Sequence, residues 1–310
     1  MTAILTDRQR DLLRCPITRE PLVEEAGALV SIPSGRRYAL DPHGIPLFAR
    51  DSMSDDARVQ EAHYDRIAPA YLENLTYPHT EEYVAYFDRV LLDQVDGALD
   101  TIVEVCCGAG EACWLLRDRT GHAIGVDIST AMLAHARRRL PDPRFEFAQG
   151  DACRLPIADE VADAVFMLGG VHHVNDRAGL FSEVFRVLKP GGRFYFREPL
   201  DDFILWRLAR DLIYRLSPTL DADTERPLRR QPTVAGLTQA GFSLRMWRSL
   251  GFIGCCFLMN SDVLVFNRLL RFIPGIRPFT RLMTHVDDAS LRVPGLRHAG
   301  VAVIGVASKP

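Results

Sequence analysis

Short apolar runs alternate with amphipathic stretches between residues 99 and 200. The runs are rich in β-branched residues, as in buried parallel strands, and the stretches between them have apolar residues at helical spacing. This alternation predicts an α/β core with a doubly wound parallel sheet and right-handed crossovers. The predicted strands are 101–105, 123–127, 145–148, 164–168 and 193–197, and the predicted helices are 111–117, 131–139 and 180–188.

The chain before this core has two different patterns. Residues 1–50 are short alternating apolar runs punctuated by Pro and Gly, which predicts a small, separate β-rich unit. Residues 51–98 are expected to form a linker, over 51–60, and then a helical cap that Pro69 and Pro78 divide into short helices. This aromatic-rich cap either packs against the edge of the sheet or closes as a lid over a ligand.

The chain after residue 200 is expected to complete a domain that spans residues 99–310. The pattern predicts an arginine-rich amphipathic segment over 203–216, a helix over 233–240, and strands over 242–248 and 301–306. An apolar insertion with arginines at intervals lies at about 250–296. It either packs on the sheet, lines a ligand pocket or lies on a membrane surface.

Composition and charge argue against several classes of protein. The chain has 310 residues, 47% of them hydrophobic and 25% charged, which is ordinary for a globular protein with a sizeable core. Its net charge of -3 gives no reason to expect a nucleic-acid partner. The N-terminus lacks the apolar core of a signal peptide, and no run reaches the roughly 18 apolar residues of a membrane span. Seven cysteines without a C-x-x-C motif predict reduced thiols and a cytoplasmic location.

The candidate chemistry begins in the stretch 101–111, TIVEVCCGAGE. Gly108 and Gly110 permit a tight turn and close approach of the backbone to a ligand, and the following helix presents free N–H groups. Asp127, which ends the next strand, can accept two hydrogen bonds from a ribose diol. The layout suits a dinucleotide or S-adenosylmethionine. The third glycine of G-x-G-x-x-G is missing, and Glu104 suits a ligand that carries an ammonium group.

Five blocks in register resemble one family and cover about residues 64–199. EVCCGAG resembles its glycine loop, VDIS its acidic ribose block and GDACRLPIAD its adenine block. DAVFMLGGVHHVND and FRVLKPGGRFYFREP resemble the segments around its fourth and fifth strands. The chain is thereby identified as a member of the class I S-adenosylmethionine-dependent methyltransferases, UbiE-like group. The resemblance implies a Rossmann-like, mostly parallel seven-stranded sheet and S-adenosylmethionine as cofactor.

The resemblance also implies roles at the methionine and ribose end of the cofactor. Glu104 and the backbone of Gly108 and Gly110 would hold the methionine portion, and Asp127 would take the ribose hydroxyls. Cys106 stands where the family has its first glycine, so its side chain would narrow the approach of the methionine portion.

Six further residues complete the implied cofactor site. Ile128, Asp151 and Ala152 would contact the adenine, and Leu168 would face the sulfonium. Tyr64 and Tyr71 would close over the cofactor.

Methyl transfer to a protonated nucleophile also needs a general base. His172 and His173 follow the fourth predicted strand, at the edge where such sheets bind ligands, and either act as base or line the pocket. Glu198 and Asp201 follow the fifth strand and either face the same edge or cap the next helix. Cys255 and Cys256 are interpreted as buried apolar residues.

The first 50 residues resemble the Trm112-like zinc-ribbon module that precedes some methyltransferases. Cys15-Pro16 and Gly44-Ile45-Pro46 match its opening and closing motifs, but Thr18 stands where the second thiolate belongs. Because structural zinc takes about four N or S ligands, we expect this segment to bind no metal.

These observations favour a methyltransferase acting on carbon or oxygen of a small, lipophilic or aromatic acceptor. The alternatives are a protein or RNA methyltransferase and a non-catalytic S-adenosylmethionine-binding protein. The expected partner is a small-molecule acceptor, without nucleic acid. Peripheral contact with a membrane through the insertion stays open.

Overall fold

The computed structural model describes residues 6–50, 53–208, 226–259 and 265–310. Its centre is a seven-stranded sheet with the order β6-β5-β4-β7-β8-β10-β9, in which β10 is antiparallel to both neighbours and the other pairs are parallel. The predicted fold class is confirmed. The strands are β4 Leu99–Val105, β5 Thr120–Asp127, β6 Phe145–Gln149, β7 Ala162–Leu168, β8 Leu188–Pro199, β9 Ser243–Leu250 and β10 Ala302–Ser308.

Helices follow most of the parallel strands. They are α4 Glu111–Leu115, α5 Thr130–Arg139, α6 Arg177–Val187 and α7 Arg230–Gln239, with a 3-10 turn at Val171–His173. The strand order reverses between β4 and β7, and an open α/β sheet binds its ligand at that point. We therefore expect the ligand-binding site at the carboxyl ends of β4, β5 and β7.

The N-terminal segment forms α1 Asp7–Leu12 and a small antiparallel sheet of β1 Val23–Glu25, β2 Ala28–Ser31 and β3 Arg36–Tyr38. Its apolar side chains do not form a core of their own. Leu29, Tyr38 and Phe48 pack into the same buried cluster as Val103 of β4 and Val165 of β7. Burial of this apolar surface ties the first 50 residues to one face of the large sheet.

The helical cap differs from its prediction. A single 21-residue helix, α2 Asp55–Leu75, continues through Pro69, so the expected break there was wrong. The six residues 55–60, assigned to a linker, form its first turns because Ser54 caps the helix by accepting from Ala57 N–H. Pro78 does begin a new helix, α3 Pro78–Leu92, at the position where a missing N–H costs least.

The apolar insertion contains α8 Ile253–Leu258, a 3-10 segment Val265–Phe272 and α9 Ile276–Leu291. Buried Asp287 of α9 accepts from Gly254 N–H at 2.9 Å, Cys255 N–H at 2.8 Å and the Tyr83 hydroxyl at 3.0 Å, which holds α8 and α9 on α3. The predicted segment 203–216 lies outside the described residues beyond Leu208. In the described part of the chain, no helix is long and apolar enough to cross a bilayer.

Candidate active site

A cavity of about 760 Å³ opens at the carboxyl ends of β4, β5 and β7, beneath α2. Its volume is in the range of small-molecule sites. All but one of the eleven predicted cofactor residues line it. They are Tyr64, Tyr71, Glu104, Cys106, Gly108, Asp127, Ile128, Asp151, Ala152 and Leu168.

Glu104, near the end of β4, organises the glycine loop. Its two carboxylate oxygens accept from the N–H groups of Ala112 at 2.8 Å and Cys113 at 2.9 Å, in the first turn of α4. Burial raises the pKa of Glu104 to about 7, against the opposing effect of these donors. The acid therefore anchors the loop on the helix and also faces the cavity.

Asp127 joins the two loops that follow β4 and β5. One oxygen accepts from Gly108 N–H at 2.7 Å and the other from Ser129 N–H at 2.8 Å. Burial raises the pKa of Asp127, and the backbone donors oppose this rise. The carboxylate thus fixes the distance between the two loops at the cavity wall.

The glycine loop adopts positive φ at three positions. Gly108 and Gly110 have φ of 50° and 72°, and Cys106 has 52°. Gly110 is the predicted residue that does not line the cavity, because it faces Leu140 and Phe147 behind the loop. At Cys106 the left-handed conformation costs a residue with a Cβ about 1–2 kcal/mol. Its side chain packs against Gly170 rather than filling the turn.

Asp151 connects the loop after β6 to the cap. One oxygen accepts from the backbone N–H of Ser54 at 3.0 Å and its hydroxyl at 2.9 Å, and the other accepts from Cys153 N–H at 2.9 Å. The start of α2 is therefore fastened to the predicted adenine end. Ser54 was not predicted as part of the site, because its partner is 97 residues away in the sequence.

Tyr64 and Tyr71 lie on the inner face of α2, ring edge to ring face with centroids 6.0 Å apart. The Tyr64 hydroxyl lies 2.8 Å from His173 Nε2. A titratable pair from the cap and the 3-10 turn therefore meets at the cavity wall, at the end of β7.

The two histidines of the predicted pair have different surroundings. Their ring centroids are 3.8 Å apart, but His173 lines the cavity and His172 does not. His172 Nδ1–H donates to the fully buried carboxylate of Glu198 at 2.7 Å, and Glu198 also accepts from Gly170 and Val171 N–H at 2.9 Å. Glu198 thus holds the 3-10 turn that presents His173. Asp201 is tied to Arg229 instead.

We define the second compartment as the part of this cavity that α2, α3 and α4 line. Its apolar wall consists of Leu72, Leu75, Val84, Trp114 and Leu115. These residues carry no motif and were not predicted.

Two carboxylates at the floor of the second compartment share one buried arginine. Arg197 of β8 pairs with Asp88 at 2.7 Å and Glu111 at 2.9 Å. Burial raises the pKa of Asp88 to about 6, although Arg197 opposes the rise. The compartment therefore combines an apolar wall with a polar floor.

The cavity lining fits a cationic cofactor. Eight carboxylates and two arginines line it, which gives a negative potential that suits a sulfonium and an ammonium group. The carboxylates are Asp56, Glu81, Asp88, Glu104, Glu111, Asp127, Asp151 and Asp176.

In the N-terminal segment, hydrogen bonds surround the cysteine of the zinc-ribbon motif. Cys15 Sγ lies 3.0 Å from the Tyr38 hydroxyl and accepts from Thr18 N–H, while the hydroxyls of Thr18 and Ser31 lie 3.2 Å apart. Burial raises the pKa of Cys15, but these hydrogen bonds outweigh it and lower the pKa to about 6. Among the described residues no group of three or more His, Cys, Asp or Glu side chains is placed to hold a metal ion. The likeness to a zinc ribbon stays a prediction.

Comparison with known proteins connects this geometry to a family. The family described as "Methyltransferase domain" matches residues 103–196. The 2-phytyl-1,4-naphtoquinone methyltransferase of Thermosynechococcus vestitus is 35% identical over 166 residues, which are 48% of this chain and 72% of that protein. The chain belongs to the class I S-adenosylmethionine-dependent methyltransferases. The predicted family and its cofactor are thereby confirmed.

Other matches are shorter or show only the fold. The demethylmenaquinone methyltransferase of Beutenbergia cavernae is 36% identical over 99 residues, 32% of this chain and 40% of that protein. Three more curated relatives are likewise covered over 37%, 49% and 40% of their length. The solved [4+2]-cyclase SpnF, 18% identical with a TM-score of 0.56, covers 82% of this chain and is itself covered over 96%. A cyclase with this fold means that fold alone does not define the reaction.

Proposed function

We propose that this protein transfers the methyl group of S-adenosylmethionine to a carbon or oxygen of a small, lipophilic aromatic acceptor. The observation that carries the proposal is the second compartment, whose apolar wall of Leu75, Val84 and Leu115 continues directly from the cofactor end of the cavity. Apolar side chains with a few polar groups are the usual lining of such a site. The named naphthoquinone and menaquinone relatives agree with this class of acceptor.

At the cofactor end, Glu104, Asp127 and Asp151 would hold the methionine portion, the ribose and the adenine. Each of them already accepts backbone N–H groups, so binding needs little rearrangement. The bound cofactor would supply an electrophilic methyl group on a positively charged sulfur. Tyr64 and Tyr71 would exclude water from that group, because α2 covers the cavity.

Tyr64 and His173 are the proposed acid–base pair. An acceptor with an aromatic hydroxyl must lose a proton as its oxygen or ring carbon forms the new bond to the methyl group. The 2.8 Å contact between Tyr64 Oη and His173 Nε2 lets this pair accept that proton at the cavity wall. His172 would act as a positioning residue through Glu198, since both hold the 3-10 turn.

A transfer assay with methyl-labelled S-adenosylmethionine tests the proposal. We expect label in a reduced naphthoquinone, with a higher kcat/KM for acceptors that carry an isoprenoid tail. Label in tRNA or protein, with none in quinols or other aromatic small molecules, would overturn it. Binding of the cofactor without transfer to any acceptor would instead favour the non-catalytic alternative.

A further inference from the structure

Exposed apolar side chains are concentrated in one part of the molecule. Of the sixteen large hydrophobic residues that are exposed in the described chain, nine lie between residues 253 and 293. Phe272 is 70% exposed and Leu269 65%. We define the apolar face as Ile253, Phe257, Leu269, Phe272, Phe279 and Leu282. These side chains belong to neighbouring elements, because α8 packs against both α9 and the 3-10 segment Val265–Phe272. Patches of this kind mark interaction sites.

Helix α9 shows why this surface is not simply part of the core. One stripe of the helix, including Ile276, Thr280 and Leu291, is buried against the protein. Phe279, Leu282 and Val286 follow each other at helical spacing on another side and are 52%, 58% and 43% exposed. The helix therefore has a second apolar stripe that the described chain leaves in solvent.

Positive charge borders this face. Residues 265–298 contain six arginines and two acids, on a chain whose net charge is -3. Of the two acids, Asp287 is buried beneath α8 and Asp288 accepts from the Tyr86 hydroxyl, so neither is an exposed acid. Arg268, Arg277, Arg281, Arg292 and Arg297 are exposed. Arg277 and Arg281 pair with Glu81 and Glu82 of α3, so Arg268, Arg292 and Arg297 supply most of the positive charge.

The same segment borders the mouth of the second compartment. Arg271 pairs with Glu73 of α2 at 2.9 Å and stacks over the Tyr77 ring. Arg277 pairs with Glu81 of α3, and Glu81 lines the cavity. A surface that docks on the apolar face therefore lies next to the compartment proposed for the acceptor.

We propose that the apolar face docks on the surface of an anionic lipid bilayer, from which a lipophilic acceptor enters the second compartment. The acceptor route rests on the proposed function, whereas the docking itself does not. An apolar surface bordered by arginines suits the boundary between headgroups and acyl chains. A second copy of the chain fits less well, because a two-fold interface would bring the same arginines face to face.

Co-sedimentation of the full chain with vesicles tests the docking. One set of vesicles is pure phosphatidylcholine and the other is equal parts phosphatidylcholine and phosphatidylglycerol. We expect binding to the anionic vesicles that weakens in high salt and on pure phosphatidylcholine. The variant Phe279→Asp/Leu282→Asp should lower the bound fraction at least about tenfold, because both side chains would insert. Ile32→Asp, at a 68% exposed position in the turn between β2 and β3, is the matched control and should bind normally.

A second variant tests the charge separately from the apolar contact. Arg268→Glu/Arg292→Glu should remove most of the preference for anionic vesicles. We expect the partition coefficient onto these vesicles to fall about fivefold for each arginine lost. The proposal is overturned if the wild type stays in the supernatant with both vesicles. It is also overturned if the Phe279→Asp/Leu282→Asp variant sediments like the wild type, or if that variant instead abolishes a dimer seen by light scattering.

Methyl transfer to a detergent-solubilised quinol separates this proposal from the proposed function. If the protein methylates the quinol but does not bind vesicles, only the docking proposal is rejected. Vesicle binding without transfer to any small acceptor would reject the proposed reaction and leave the docking intact.

Discussion

The cofactor end of the cavity is held by carboxylates that accept backbone N–H groups, whereas the second compartment is walled by apolar side chains from three helices. Glu104 and Asp127 are buried, and their oxygens are directed by the chain's own loops. The positions of the Leu75 and Val84 side chains depend instead on how α2 and α3 pack over the sheet. Hydrogen bonds have strict geometry and apolar contacts do not. We therefore expect the predicted cofactor end to be selective for one class of ligand and the second compartment to accept apolar ligands of several shapes.

Removing the Asp127 carboxylate should have the largest effect. Asp127→Ala leaves the Gly108 and Ser129 N–H groups without their acceptor and removes the proposed ribose contact, so the Kd for S-adenosylmethionine should rise about 100-fold. Titration calorimetry measures it. Asp118→Ala, at a side chain 84% exposed, is the control and should bind normally. Equal affinity for the two variants would show that the loops do not depend on this carboxylate.

The Tyr64 hydroxyl contacts His173 at the cavity wall, and its loss should affect chemistry rather than binding. Tyr64→Phe keeps the ring over the cavity but removes the partner of His173, so kcat should fall about 100-fold while the cofactor Kd changes little. Tyr71→Phe is the matched control on the same face of α2. If both variants turn over like the wild type, proton transfer does not use this pair.

The pH dependence of cofactor binding tests the buried acid of the loop. Burial raises the pKa of Glu104 to about 7, so at lower pH the Glu104 carboxyl is protonated and uncharged. The cationic S-adenosylmethionine then lacks this negative charge in its site. Affinity should fall about tenfold for each pH unit below that value and level off above it. Glu104→Gln should flatten most of this profile in calorimetry.

Stability of the cofactor-free protein should have the opposite pH dependence. The pKa of Glu104 is higher in the folded protein than its ordinary value of 4.5. Glu104 therefore contributes its full stabilisation below pH 4.5, and this stabilisation is lost as pH rises through about 7. Urea unfolding at a series of pH values measures this. A free energy of unfolding that increases over the same window would contradict the assignment.

The smallest expected effect concerns the strained turn at Cys106. Cys106→Gly and Cys106→Ala both remove the sulfur from its contact with Gly170, but only glycine adopts φ of 52° without strain. The glycine variant should therefore be about 1 kcal/mol more stable than the alanine variant, the reverse of the usual order. Thermal unfolding of the pair measures the difference. An alanine variant of equal or higher stability would show that the turn is unstrained.

Most of the predicted cofactor residues could be assigned to one cavity from the sequence, because they are close to strand ends. Glu104, Asp127 and Leu168 end or nearly end β4, β5 and β7, and a parallel sheet brings those ends together. Gly110 was the exception, since a motif does not tell which glycine faces a ligand and which faces the core.

The rest depends on contacts between distant parts of the chain. Tyr64 and His173 are 109 residues apart, and Arg197 meets Asp88 across the same separation. No local sequence pattern indicates these pairs. The sequence around Val84 is that of an ordinary amphipathic helix and does not show that Val84 lines a cavity. Pro69 was misleading for a related reason, because α2 packs against Ala109 and α5, which are distant in sequence, and this packing holds the helix through the proline.

The central claim is that a lipophilic acceptor lies in the second compartment, and Val84→Trp tests it most directly. The larger side chain would reduce the volume of the second compartment, which Val84 and Leu115 both line, and it leaves Glu104, Asp127 and Asp151 unchanged in sequence. We predict that kcat/KM for a reduced naphthoquinone falls at least about tenfold while the Kd for S-adenosylmethionine stays within about twofold of the wild type. Val59→Trp, at an exposed position of α2, is the control. Equal kcat/KM values for Val84→Trp and wild type would contradict the claim.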